Sequence, residues 1–161
     1  MPRTARVFIE NVCYHIIARG NKREAIFYDP TDFRTYLHLV HKYKLKFGCR
    51  IYAFCLMSNH IHLMLESPQG LKAMSSFMHG LHHTYAMIFN GRYKRVGHLW
   101  QNRYKNPIVL KDEYLIHLLS YIEFNPVRAG LVNKPEDYMW SSYRARVLGE
   151  KNIIIDDLSS F

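Results

Sequence analysis

The chain's 161 residues suit one domain and are too few for two of ordinary size. Hydrophobic residues at 48% supply a core, while a net charge of +9, an isoelectric point near 9.5 and a mean hydropathy of -0.22 favour a polyanionic partner, nucleic acid before an anionic membrane. No apolar run approaches the ~20 residues that span a bilayer, and no stretch of signal-peptide type follows Met1-Pro2-Arg3-Thr4-Ala5-Arg6, so a cytoplasmic protein is expected. The three cysteines (Cys13, Cys49 and Cys55) are odd in number and make no Cys-x-x-Cys pair. That argues against a disulfide framework or a zinc knuckle. Cys13 and Cys55 lie in apolar strand patterns and read as buried thiols.

In chain order, residues 12–18 predict a first strand, closed by the turn signal Arg19-Gly20-Asn21. A helix follows: Asp29 suits its cap, Pro30 its first turn and Gly48 its end, with Phe33, Tyr36, Leu37, Val40, Tyr43 and Phe47 at helical spacing. Residues 50–57 and 60–66 predict two strands joined by a tight hairpin at Ser58-Asn59. Because side chains alternate along a strand, Ile61, Leu63 and Leu65 belong against the core, and His60, His62 and Met64 face the other way. Leu71, Met74, Met78, Leu81, Tyr85 and Ile88 form a helical stripe that should stop at Asn90-Gly91. A short edge strand is expected at 107–110. A last helix should start at Asp112, bury Tyr114, Leu115, Leu118, Leu119 and Ile122, and end at Asn125-Pro126. The order strand, helix, strand, strand, helix, strand, helix is that of an α+β, ferredoxin-like (split βαβ) antiparallel sheet with helices on one face, the other face open, plus an additional C-terminal helix.

Three features carry chemistry. His60-Ile61-His62 sets two imidazoles side by side, a pair able to hold a divalent ion; the same spacing also occurs as a plain polar strand face. Tyr121 and Asn125 stand four apart, so their side chains should meet on one helix face, with the Asn125 amide oxygen suited to a hard cation. Tyr121 also reads as a half-buried core residue and Asn125 as a terminator before Pro126. The basic, aromatic stretch 92–105 offers rings for unpaired bases and cations for phosphates, or else a solvated loop with Trp100 packed inward. His79, His82 and His83 read as a polar helix face within reach of phosphate, His38 and His41 as structural. No nucleophile-elbow serine motif and no glycine-rich phosphate loop is present.

These residues are set in longer motifs. Leu56-Met57-Ser58-Asn59-His60-Ile61-His62-Leu63-Met64 resembles the His-hydrophobic-His motif of the HUH endonuclease superfamily. Tyr121-Ile122-Glu123-Phe124-Asn125-Pro126-Val127-Arg128-Ala129-Gly130-Leu131-Val132 resembles the tyrosine-bearing helix of REP-associated tyrosine transposases, relatives of the single-tyrosine insertion-sequence transposases. Trp100-Gln101-Asn102-Arg103-Tyr104, Arg19-Gly20-Asn21 and the opening Met1-Pro2-Arg3 resemble the same family. The resemblance runs to about Val147, which divides the chain into a single catalytic domain, 1–147, and a tail, 148–161.

The resemblance implies a single-tyrosine transposase: a metal-dependent single-strand DNA endonuclease and strand transferase acting on hairpin-containing DNA. Tyr121, on the C-terminal helix, would be the catalytic nucleophile, forming a 5′-phosphotyrosine. His60, His62 and Asn125 would hold Mg²⁺ or Mn²⁺; the insertion-sequence branch usually has glutamine where this chain has Asn125. Single-stranded or hairpin DNA is the expected partner, with His15, Arg19, Arg92, Lys94, Arg95, Trp100, Arg103 and Lys105 as contacts. Single-tyrosine relatives are often dimers, so a homodimer is among the expectations. Two rival readings stay open: a non-catalytic single-stranded nucleic-acid binder, and a small metal-dependent phosphoesterase that forms no tyrosine adduct.

Overall fold

A computed structural model describes residues 4–10 and 12–158; the opening Met1-Pro2-Arg3 and the last three residues of the tail lie outside the described residues. The elements are β1 (Cys13–Arg19), α1 (Pro30–Phe47), β2 (Arg50–Leu56), β3 (His60–Glu66), α2 (Leu71–Tyr93), β4 (Ile108–Val109), α3 (Glu113–Glu123), α4 (Asn125–Arg128) and α5 (Tyr143–Leu148), with 3-10 turns at Asn21–Arg23 and Pro135–Asp137. The strands lie in the order β2-β3-β1-β4, with every neighbouring pair antiparallel. β3 therefore sits between β1 and β2, which is the split βαβ arrangement of a ferredoxin-like sheet.

Local chemistry sets the boundaries. Asp29 caps α1 in a reciprocal box with Asp32, Pro30 opens the first turn, and Gly48 closes the helix in the left-handed region at φ 66°. α2 runs past the stop expected at Asn90-Gly91 and ends only at Lys94, whose φ of 51° turns the chain out of the helix. Glycine weakens a helix without forbidding it, and the ion pairs of Arg92 described below hold this last turn. Gly80 is needed at mid-helix, because a Cβ there would stand 2.6 Å from the Tyr43 ring of α1.

Alternation divides the strands between two cores. Tyr14, Ile16 and Ala18 of β1, Ile51, Phe54 and Leu56 of β2, and Ile61, Leu63 and Leu65 of β3 pack under α1 and α2. On the second face Cys13, Tyr52, Ala53, Cys55 and Met64 pack with Leu115, Leu118, Leu119 and Ile122 of α3. The face expected to be open is thus covered in part, and the additional helix is what covers it. Tyr114, expected in the buried stripe of α3, is exposed. A bulge between Ile51 and Ala53 turns Tyr52 and Ala53 to the same side. All three cysteines are buried and unpaired; burial pushes the Cys13 and Cys55 thiols up to about 12, so neither is a nucleophile.

The outer edge of β2 is sealed. The Leu56 amide donates to the Trp140 carbonyl, Ser142 exchanges bonds with Phe54, and Asp156 both accepts from the Ile51 amide and donates to its carbonyl. The Lys44 ammonium, 2.7 Å from the Asp156 carboxylate, pins the same segment to α1. Among the described residues no helix is long and apolar enough to cross a membrane.

Candidate functional site

The antiparallel register of β1 and β3 places Arg19 opposite His60 and Ile17 opposite His62, with His15 one step further along, opposite Met64. All these side chains except Ile17 and Met64 are polar, and the three histidines form a row on the second face of the sheet. The rings of His60 and His62 stand 5.0 Å apart, nearly perpendicular, and those of His15 and His62 stack at 5.1 Å. His15 Nε2 and His62 Nδ1 are 2.9 Å apart, and the Asn125 amide nitrogen lies 3.0 Å from His62 Nε2. With the NH₂ of Asn125 turned to His62, Nε2 accepts, so the single proton of His62 sits on Nδ1 and is donated to His15. His60 donates from Nδ1 to the Asn59 carboxamide oxygen at 2.7 Å. Both imidazoles thus carry their proton on Nδ1 and present Nε2 as a lone pair.

Burial keeps these rings neutral. It lowers His15 to about 4; in His62, desolvation and then the neighbouring His15, His60, Arg128 and Arg19 lower the pKa to about 3. His60 is lowered by burial and by Arg19. His82, packed beneath Trp100 on the opposite side of the sheet, is also lowered by burial, to about 3. Below the ordinary value of 6.5 the unfolded chain binds protons that these folded imidazoles refuse, so stability is full above about pH 6.5 and is lost on acidification. Each histidine contributes up to about 1.4 kcal/mol per pH unit between 6.5 and its folded value. Calorimetry in chelator is expected to show Tm falling steadily from pH 6.5 to 5, with His82→Gln flattening the slope by about a quarter; a level Tm would mean that these rings are solvated.

Tyr121 lies off the buried stripe of α3, with half its surface exposed (50%). It is therefore not a core tyrosine. The Arg128 guanidinium sits 3.9 Å over its ring and donates to the Tyr121 carbonyl at 2.5 Å. Asn125 does not share a helix with Tyr121: the chain breaks at Phe124 (φ -85°, ψ 0°), and Asn125 opens α4. The break turns Asn125 inward to His62 and brings Arg128 back over Tyr121. Sequence reasoning missed Arg128; its only signal was a lone basic residue seven positions after the tyrosine.

The remaining candidates separate. Arg19 is exposed beside His60, and Lys94, Arg103 and Lys105 are also exposed. Arg92 is held by Asp29 at 2.6 Å and Asp32 at 2.9 Å, and Arg95 by Glu24 at 2.9 Å, so their charges are already matched within the fold. His15 is buried and neutral, so it is not a cationic DNA contact; its partner is His62. Trp100 packs on His82, the ring centroids 3.9 Å apart, and donates its indole N–H to the His82 carbonyl.

The family model described as Transposase IS200 like matches residues 8–125, nearly three quarters of the chain. The chain belongs to that family. A protein of Haemophilus influenzae described as a REP-associated tyrosine transposase is 28% identical over 107 residues, 61% of this chain. The chain likewise spans 61% of the length of that curated relative. Among solved structures, that of a REP-associated tyrosine transposase bound to a REP hairpin superposes with a TM-score of 0.76 at 21% identity, covering 98% of this chain and 96% of its own. A Deinococcus radiodurans protein described as a transposase superposes at 0.50, with 20% identity over 76% of this chain and 96% of its own. At these identities the structures establish the shared fold. The IS200-like match contains His60, His62, Tyr121 and, at its last position, Asn125.

Proposed function

We propose that this IS200-like chain is a metal-dependent single-strand DNA endonuclease and strand transferase that forms a 5′-phosphotyrosine on Tyr121 at hairpin-containing DNA. The observation that carries the reading is the grouping of three neutral donors, His60, His62 and Asn125, near Arg128, whose guanidinium acts on His62 and also covers the ring of the exposed Tyr121. The named relative, a REP-associated tyrosine transposase, and the hairpin bound by the structural neighbour point to the same substrate.

The donor set fits a divalent cation. With the His62 proton held on Nδ1 by His15, turning the Asn125 amide by half a turn would set its oxygen beside the Nε2 lone pair across 3.0 Å, a pair able to share one cation. Two imidazoles suit Mn²⁺ better than Mg²⁺. When bound, such a cation would polarise a non-bridging oxygen of the scissile phosphate. The chain's own groups do the rest. Arg19 and Arg128 bring positive charge to where the phosphate must lie. The Tyr121 hydroxyl gives up its proton to solvent and its oxygen attacks phosphorus; the bond to the 3′ oxygen breaks, and that oxygen leaves with the electron pair and takes up a proton from solvent, giving a free 3′-hydroxyl. The phosphotyrosine bond conserves the energy needed to rejoin strands.

The test is to mix the protein with labelled hairpin DNA from the sequence flanking its own gene, in Mn²⁺, Mg²⁺ or chelator. A metal-dependent band that survives denaturant supports the reading. Cleavage without an adduct would replace it with the phosphoesterase, and binding alone with the non-catalytic binder.

His15 enters this reading as a positioning residue, since its acceptor holds the proton of His62 on Nδ1. His15→Phe keeps the ring volume and removes the acceptor. It is expected to weaken Mn²⁺ binding by about 10–100-fold in calorimetric titration, with His15→Gln, whose amide oxygen still accepts, recovering most of it. Equal affinities in all three proteins would remove His15 from the role.

A further inference from the structure

Three pockets run together from α2 to the N-terminal arm, the central one on the face of the sheet opposite His60 and His62. The central one, about 440 Å³, lies between α2 and the segment 97–104, within the roughly 300–1,000 Å³ usual for ligand pockets. It shares Arg6, Asn102, Arg103 and Tyr104 with a second pocket along the N-terminal arm. On its other side it shares Ser75, His79 and His83 with a third, to which Lys46 and Lys72 contribute. Among the described residues no aspartate or glutamate lines any of the three.

The walls of the central pocket are flat and pre-ordered. Trp100 is fixed on His82 within 15° of parallel, by stacking and by its indole hydrogen bond. His79 and His83, one helical turn apart, stack within 6° of parallel on the exposed side of α2. The Arg6 guanidinium lies 3.8 Å over the Tyr104 ring. Planar rings held open to solvent with cations around them are what unpaired bases and their phosphates need, whereas a duplex buries its base faces. The cleft is also continuous with the candidate active site. The segment 99–105 runs antiparallel along β1, Gln101 donating to the Arg19 carbonyl and Lys105 exchanging bonds with Ile17, so one border of the cleft ends beside Arg19 and His60.

We infer that this cleft is a second DNA site, which holds unpaired nucleotides with a base in the central pocket against Trp100, His79 and His83 and with phosphates on Arg6 and Arg103. It rests on the proposed DNA function but adds a surface remote from the His60, His62 and Tyr121 chemistry. A strand seated here reaches the candidate active site over the sheet edge at 99–105.

The experiment compares the full chain with H79A/H83A and with R6A/R103A, exposed or half-exposed positions whose loss spares the core. Two probes are used in anisotropy titrations: a blunt hairpin, and the same hairpin with a single-stranded flank. H79A/H83A is expected to weaken binding of the flanked hairpin by about tenfold, in the range of one lost base stack, while leaving the blunt hairpin unchanged. R6A/R103A is expected to make the salt dependence of flank binding shallower by about 0.7 per lost phosphate contact. In a parallel arm, photocrosslinking of 4-thiothymidine placed in the flank should label peptides within 78–104. Unchanged flank affinity in both variants, or labelling confined to peptides around Arg19 and Tyr121, overturns the cleft. Adduct formation by the wild-type chain is scored separately: a normal adduct with an inert cleft sinks this inference alone, and strand binding in the cleft with no adduct sinks the catalytic reading alone.

Discussion

Tyr121→Phe is expected to abolish the denaturant-resistant DNA adduct and to lower strand cleavage by about three orders of magnitude or more, because under the proposed function it removes the atom that would form the new bond to phosphorus. The substitution is a narrow one. The ring that lies beneath Arg128 is kept, and the residue is half exposed, so the fold has little at stake. Tm should shift by no more than about 2 °C, in line with surface substitutions of within ~0.5 kcal/mol. DNA binding should persist, since Arg19, Arg128 and the cleft remain. Cleavage at the same site by the phenylalanine protein would rule out Tyr121 as the nucleophile and leave the histidine pair to act through water.

Arg146→Met is expected to cost about 3 kcal/mol, seen as a fall in Tm of roughly 6–12 °C for a chain of this size. Glu123 is fully buried, and its carboxylate accepts from Arg146 Nε at 2.8 Å, from the Arg146 guanidinium again at 2.6 Å and from Ser142 Oγ at 2.7 Å. Removing the guanidinium strands a charge in the core, with one neutral hydroxyl left to serve it. The double variant Arg146→Met/Glu123→Gln removes that charge and should regain a large part of the loss. Glu123 sits between Tyr121 and Asn125, so the same pair fixes the turn of chain that carries both. Arg146→Met is therefore expected to depress adduct formation beyond what lost stability explains. A Tm unchanged by Arg146→Met would show that Ser142 alone satisfies Glu123.

The features that survived from sequence to structure were those with short periods. The alternation of β3 put His60 and His62 on one face whatever the rest of the chain did, and Asp29, Pro30 and Gly48 marked α1 by their own backbone chemistry. What failed depended on contacts distant in sequence. Arg92 and Arg95 read as free cations because Asp29, Asp32 and Glu24 stand sixty or more positions earlier. His15 read as a surface base because its tie to His62 exists only in the register of β1 on β3. Asn125 was placed beside Tyr121 by helical spacing, whereas the break at Phe124 turns it into the sheet. α5 was not foreseen at all: six residues with a weak pattern are held in place by one buried glutamate.

The sealed edge of β2 bears on how copies of this chain could assemble. Main-chain donors and acceptors of Ile51, Phe54 and Leu56 are already engaged by Asp156, Ser142 and Trp140. At the far side of the sheet, β4 is two residues long and follows Pro107. Joining two sheets through β2 into one continuous ribbon, the route by which exposed edges drive both dimers and fibrils, would first require the 140–142 and 152–158 segments to peel away. A paired form of this protein that kept these segments in place would leave β2 out of its interface, so the two sheets could not be joined through that edge.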